Sequence, residues 1–111
     1  MLILYVDDDF EDAEIFQEAI ANIDSSISPE IILDSTKVLS AIDLRCPDYV
    51  FLDYRMPKMN GKDVLIQLQS TKCSGQTKLV IYSSFIQEYE IEECKKLEFF
   101  IVLRKGQIII Y

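Results

Sequence analysis

Acidic side chains follow two apolar runs of this chain, each at the point where the run ends. Asp7 and Asp8 come directly after residues 2–6, and Asp53 comes directly after residues 50–52. Unbroken apolar runs of this kind are typical of strands covered on both faces in a parallel sheet. Open parallel sheets bind ligands at the carboxyl ends of their strands. We therefore expect the three carboxylates to converge at one edge of a sheet.

Carboxylates held this close repel one another, and a bound divalent cation reverses that cost. The residues offer only oxygen ligands, which favours Mg²⁺, or Mn²⁺ in its place, over Zn²⁺. Asp53 could then attack a phosphoryl donor, because a carboxylate is a known covalent nucleophile and the cation offsets charge on the transferred group. Ser83 and Lys105 follow two later apolar runs and would supply a hydroxyl and a cation for the phosphoryl oxygens.

The elements that must position these residues alternate along the chain. Apolar runs predict strands over residues 2–6, 31–33, 50–52, 79–82 and 99–103. Helical spacing of apolar residues predicts helices near residues 10–23, 38–42, 61–68 and 86–97. This alternation requires right-handed crossovers and a parallel sheet with helices on both faces. The expected fold is a flavodoxin-like, doubly wound, five-stranded parallel sheet of order 2-1-3-4-5, which places the ends of the first and third strands side by side.

Length and charge narrow the class of protein. At 111 residues, half of them hydrophobic, the chain can bury one core as a single domain. No apolar run approaches the length of a membrane span, and the apolar start lacks a basic region and a cleavage site, so we expect a cytoplasmic protein without membrane contact. The net charge of −8 would repel phosphate backbones, so we expect no nucleic-acid partner.

Two groups of polar or reactive residues are interpreted as structural. Cys46, Cys73 and Cys94 are odd in number, far apart and without Cys-x-x-Cys spacing. We therefore expect buried free thiols rather than a zinc site or a disulfide. The Glu-rich stretch over residues 88–98 is interpreted as the solvated face of a helix, with no ligand.

The acidic and turn motifs together resemble the receiver domains of two-component response regulators, in particular the chemotaxis-type single-domain receivers. The resemblance covers residues 1–106 and includes a Met-Pro-x-x-x-Gly loop over residues 56–61. The family's functional positions fall on an acidic pair, a phosphoacceptor, a switch hydroxyl and a lysine, which are here Asp7 and Asp8, Asp53, Ser83 and Lys105.

The resemblance implies a role in phosphorelay signalling. Asp53 would take a phosphoryl group from a histidine kinase or a phosphotransfer protein, and a conformational change would pass the signal to a downstream protein of unknown identity. The implied Mg²⁺ ligands are Asp8 directly, Asp7 through water, Asp53, and the backbone carbonyl of Arg55. Such a chain is not an enzyme beyond self-catalysed phosphotransfer and dephosphorylation.

The end of the chain departs from the family pattern. The usual Lys-Pro is here Lys105-Gly106, so Arg104 competes as the cation that faces the phosphoryl group. Val102 stands where the family usually has an aromatic switch residue. Only six residues follow Lys105, too few for the family's fifth helix.

The short segment after Lys105 affects the domain organisation that we expect. We expect residues 1–111 to form one receiver domain with no output domain, in which residues 107–111 are a short apolar tail. Without a fifth helix, one apolar side of the sheet would be uncovered. We expect a homodimer to bury it, while a tail folded back onto its own sheet is the alternative.

Other classes of function fit the sequence less well than a receiver. A degenerate receiver, acting as a phosphorylation-independent protein-binding module, is supported by the missing helix and the lost proline, but the intact Asp53 argues against it. A phosphatase of the haloacid dehalogenase type needs a second acid where Arg55 stands. The residues Asp7 to Asp9 taken alone would also suit a simple helix cap.

Overall fold

The computed structural model describes residues 1–84 and 86–96, together with the backbone of residues 100–104. Within these residues, five strands form one sheet in the order β2-β1-β3-β4-β5, and every neighbouring pair is parallel. The strands are β1 (Ile3–Val6), β2 (Glu30–Ile32), β3 (Tyr49–Leu52), β4 (Lys78–Ser83) and β5 (Phe100–Arg104). The helices are α1 (Phe10–Ile23), α2 (Val38–Arg45), α3 (Gly61–Leu68) and α4 (Glu88–Lys95), and a 3₁₀ turn over Ser35–Lys37 precedes α2. The predicted flavodoxin-like α/β architecture with a parallel sheet is confirmed.

The pairing of β1 with β3 sets the level of the acidic residues. Val6 lies opposite Leu52 in the register, and the amide of Asp53 donates to the carbonyl of Val6 at 3.1 Å. Asp7 and Asp53 therefore leave adjacent strands at the same height. This is the crevice where open α/β sheets bind ligands.

Both faces of β1 are buried, which explains its unbroken apolar sequence. Leu4 and Val6 face a large core shared with α2, α3 and α4. Ile3 and Tyr5 face a smaller core in which Phe16 of α1 packs against them. A strand covered on both sides needs apolar residues at every position rather than at alternate ones.

The helices of the site begin at side-chain caps. Asp9 precedes α1, and its side chain accepts from the amide of Glu11 at 2.9 Å. Asn60 precedes α3 and forms a reciprocal capping box with Asp63. Gly61 follows at a crowded point, because a Cβ there would lie 2.8 Å from Cδ1 of Ile81. A larger residue at the start of α3 would therefore require the end of the Ile81 side chain to shift.

The prediction of free thiols is wrong for two of the three cysteines. Cys46 ends α2 and forms a disulfide with Cys73, which lies between α3 and β4, with the Cα atoms 5.1 Å apart. The two segments meet at the amino edge of the sheet, where the hydroxyl of Thr77 donates to the carbonyl of Pro47 at 2.7 Å. Cys94 is a buried free thiol, as predicted.

Several expectations about the end of the chain lie outside the described residues. These are the position of Lys105, the apolar tail over residues 107–111, and the missing fifth helix with the homodimer inferred from it. Among the helices that the structure describes, none is long and apolar enough to cross a membrane.

Candidate functional site

Three of the residues singled out in the sequence meet at the carboxyl edge of the sheet. Asp53 follows β3, and Ser83 is the last residue of β4. The Ser83 hydroxyl donates to Oδ1 of Asp53 at 2.9 Å, and the Arg55 amide donates to the same oxygen at 3.1 Å. One oxygen of the Asp53 carboxylate is therefore held by two donors, one at the end of β4 and one in the loop after β3. Such bonds fix the direction in which the carboxylate points.

Asp7 is the buried acid of the site, with 1% of its surface exposed. Its Oδ2 accepts from the hydroxyl of Tyr5 at 2.9 Å, and its Oδ1 accepts from the amide of Asp9 at 3.0 Å. The sequence analysis does not identify Tyr5 as a site residue, because a tyrosine within an apolar run is typical of any buried strand. The available signal was a single hydroxyl in an otherwise aliphatic strand, two residues before an acid.

Asp8 is exposed, yet its charge is unfavourable in the folded protein. Partial burial raises the pKa of its carboxyl above the ordinary value of 3.8, and the charges of Asp7 and Asp53 raise it further. Asp8 is therefore close enough to both other acids for their charges to act on its carboxyl. A cation at this edge would relieve the repulsion.

The donor chemistry of the edge fits Mg²⁺. In the part of the chain that the structure describes, no group of three or more His, Cys, Asp or Glu side chains is arranged to hold a metal ion by itself. Mg²⁺ does not need such a cage, because proteins bind it through one or two carboxylates while it keeps several waters. Asp8 and Asp53 offer carboxylate oxygens, and the loop after β3 offers backbone carbonyls.

The loop between β3 and α3 is anchored to the rest of the edge. The carbonyl of Pro57 accepts from the hydroxyl of Ser35 at 2.7 Å, and the amide of Gly61 donates to the carbonyl of Tyr54 at 2.9 Å. A small open cavity lies between this loop and Asp8. It is lined by Asp8, Leu33, Asp34, Ser35, Pro57 and Lys58.

An ion pair joins the site to α4. Nη2 of Arg55 lies 2.6 Å from Oε1 of Glu90, and the same oxygen accepts from the amide of Gln87 at 3.0 Å. The interpretation of residues 88–98 as a solvated face is wrong at Glu90, which is only 5% exposed. The helical period places Glu90 on the same inward side as Cys94, four residues later. Arg55 supplies the countercharge that makes its burial tolerable.

The parallel sheet and its carboxyl edge are typical of one class of protein, in which acids follow β1 and β3 and a hydroxyl lies at the end of β4. The family model of the response regulator receiver domain matches residues 3–107, so this chain belongs to that family. Receiver domains are the signal-accepting modules of two-component systems.

Solved structures share the fold. The chain is similar to the chemotaxis protein CheY4 of Vibrio cholerae, with 17% identity and a TM-score of 0.82, over 96% of this chain and 87% of that one. It is similar to the receiver domain of a DNA-binding response regulator from Colwellia psychrerythraea 34H, with 19% identity and a TM-score of 0.83, over 95% and 85% of the two chains. It is 25% identical to a CheY-like receiver domain from Methylobacillus flagellatus, with a TM-score of 0.77, over 96% and 87%.

Proposed function

We propose that this chain is a phosphoacceptor in two-component signalling. Asp53 takes a phosphoryl group from a phosphohistidine of a histidine kinase or a phosphotransfer protein, and the phosphorylated chain changes conformation and acts on a downstream protein. The observation that carries the proposal is the geometry around Asp53, whose carboxylate is held by Ser83 at 2.9 Å beside the acids that follow β1.

The residues of the chain account for the transfer step. A carboxylate oxygen of Asp53 forms a bond to phosphorus while the bond from phosphorus to the donor nitrogen breaks, and the electron pair of that bond leaves with the imidazole. Ser83 and the Arg55 amide hold Oδ1 and so orient the carboxylate toward the donor. When bound, Mg²⁺ offsets the negative charge of the transferred group. This chemistry makes the chain a participant in its own phosphorylation rather than an enzyme acting on other substrates.

Asp8 and Asp53 are the acids that we assign to direct cation binding, with Asp7 acting through water and the Arg55 carbonyl as a backbone ligand. The assignment of Asp8 is supported by its raised pKa, because burial and the charges of Asp7 and Asp53 penalise its ionised form in the absence of a cation. Mn²⁺ is expected to replace Mg²⁺, since both are hard cations that prefer oxygen ligands. We further assign Lys105 as the cation that faces the phosphoryl group.

The route of the signal toward α4 follows from two contacts of the site. Ser83 touches Asp53 directly, and it ends the strand that leads to α4. Arg55 is two residues from Asp53 and is paired with Glu90 in the first turn of α4. A phosphoryl group on Asp53 changes the charge beside both contacts, so the region from Ser83 through α4 is the part of the chain that we expect to rearrange.

The proposal is tested by intact-mass measurement of the protein incubated with acetyl phosphate and Mg²⁺. The wild type should gain one phosphoryl group, and Asp53→Asn should gain none. Asp8→Ala should gain none either, because a ligand of the cation is lost. Asp43→Asn is the matched control, since it removes an exposed carboxylate from α2, away from the site, and should be phosphorylated normally.

The outcome also separates the two receiver functions. A wild-type mass that stays unchanged, in a protein that is folded and binds Mg²⁺, would contradict the phosphoacceptor and favour a phosphorylation-independent binding module. A shift that persists in Asp53→Asn would move the phosphoryl group to another residue.

A further inference from the structure

The hydroxyl of Tyr5 reaches the acidic edge from inside the core. Tyr5 is completely buried, and its hydroxyl donates to Oδ2 of Asp7 at 2.9 Å. The second oxygen of Asp7 accepts from the amide of Asp9, at the start of α1, at 3.0 Å. A buried carboxylate needs such partners because desolvation is costly. Both oxygens of Asp7 are thus held, one by a side chain of the sheet and one by the backbone that leads into the helix.

The ring of Tyr5 is itself held in place. It stacks on the ring of Phe16 with centroids 4.3 Å apart and meets the edge of Tyr82 at 6.2 Å. Phe16 belongs to α1 and Tyr82 to β4, so two elements enclose the ring. The hydroxyl is therefore at a fixed point before any ligand arrives, which is the condition for orienting a second group.

Packing alone does not account for a hydroxyl at this position. The other residues of β1 are the aliphatic Ile3, Leu4 and Val6, and a phenylalanine would fill the same space against Phe16. What the hydroxyl adds is a bond to Asp7. Outer groups that hydrogen-bond to metal-binding carboxylates set their orientation and change metal affinity.

We propose that Tyr5 is a positioning residue, which holds the carboxylate of Asp7 in the orientation needed for a divalent cation at the carboxyl edge of the sheet. The inference rests on the proposed function for the cation and goes beyond it by giving a core residue of β1 a role in binding. Tyr5 acts only through Asp7 and touches neither the phosphoryl donor nor Asp53 in this role.

The test is Tyr5→Phe, which keeps the stacked ring and deletes the hydroxyl. We expect the affinity for Mn²⁺, measured from the electron paramagnetic resonance signal of the free ion, to fall by about tenfold. The Mg²⁺ concentration that gives half-maximal phosphorylation by acetyl phosphate should rise by the same factor. The maximal rate at saturating Mg²⁺ should be unchanged, because Asp53 and Ser83 are intact. A general loss of structure would lower the maximal rate as well.

Two further variants keep the test decisive. Tyr49→Phe removes a hydroxyl from the adjacent strand in the same core cluster, opposite Ile3, and should leave Mn²⁺ affinity unchanged. Phe16→Leu loosens the support of the Tyr5 ring and should weaken Mn²⁺ binding by a smaller factor than Tyr5→Phe. If Tyr5→Phe does not fold, the Mn²⁺ affinity of Phe16→Leu tests the role of Tyr5 instead.

The results separate this inference from the proposed function. Wild-type Mn²⁺ affinity in both Tyr5→Phe and Phe16→Leu would overturn the role of Tyr5 while leaving phosphorylation of Asp53 intact. A wild-type protein that binds no Mn²⁺ and gains no phosphoryl group would overturn both. A lowered maximal rate with unchanged Mn²⁺ affinity would also refute positioning.

Discussion

Reduction of the Cys46–Cys73 disulfide should lower the stability of the protein by a predictable amount. The bond spans 27 residues of sequence, and this segment contains the whole of β3 and α3. In the chain-entropy model, closing a loop of that length destabilises the unfolded state by about 3.5 kcal/mol at 25 °C. For a domain of this size, 1 kcal/mol corresponds to about 4 °C, so the melting temperature should fall by roughly 10 to 15 °C.

The assay is thermal unfolding followed by circular dichroism, with and without dithiothreitol. The double variant Cys46→Ser/Cys73→Ser is the control, because its melting temperature should match that of the reduced wild type and should not respond to the reductant. Thiol titration of the denatured protein should find only Cys94 reactive before reduction. Phosphorylation well below the melting temperature should be unaffected, since the bond lies at the amino edge of the sheet and Asp53 lies at the carboxyl edge.

Two results would refute this reasoning. Reactivity of all three cysteines without reductant would mean that the bond does not form. Equal melting temperatures of protein shown to be oxidised and reduced would mean that the loop closure contributes nothing. In a reducing cytoplasm the protein would work in the less stable, reduced form, since cytosolic thiols are kept reduced.

Three further predictions concern the carboxyl edge and α4. Asp8→Asn should raise the melting temperature at neutral pH without divalent cations. Burial and like charges raise the pKa of Asp8 above 3.8, so the wild type loses stability as pH rises through that pKa and the variant does not. The gain should vanish at pH 3, and an equal gain at both pH values would contradict the electrostatic cause. Arg55→Ala should lower the free energy of unfolding by about 1 to 2 kcal/mol in urea titrations, because it removes the cation that pairs with the buried Glu90; Lys95→Ala, whose pair with Glu92 is exposed, should cost much less. Hydrogen exchange with a beryllofluoride phosphoryl mimic and Mg²⁺ should change most over residues 83–97, and changes confined to the loop after Asp53 would argue against signalling through α4.

Local pattern was sufficient to predict the alternating architecture. The apolar runs ending at Val6 and Leu52 identify buried parallel strands, and the spacing from Phe10 to Ile23 identifies α1 with the bounds that the structure has. The placement of Asp7 and Asp53 at one level of the sheet follows from the same pattern, because Val6 pairs with Leu52 and the carboxyl ends of adjacent parallel strands share one edge.

Contacts between distant segments were decided only by the tertiary structure. The sequence predicts a solvated Glu90, whereas the structure pairs it with Arg55, 35 residues earlier. The sequence predicts separate thiols at Cys46 and Cys73, whereas the structure brings the end of α2 to the segment before β4 and joins them. The sequence predicts only a core residue at Tyr5, whereas the structure stacks its ring on Phe16 and places its hydroxyl against Asp7. Periodicity reports which face of an element is buried, but not which polar atom of another element will lie against it, because that depends on how whole elements pack in three dimensions.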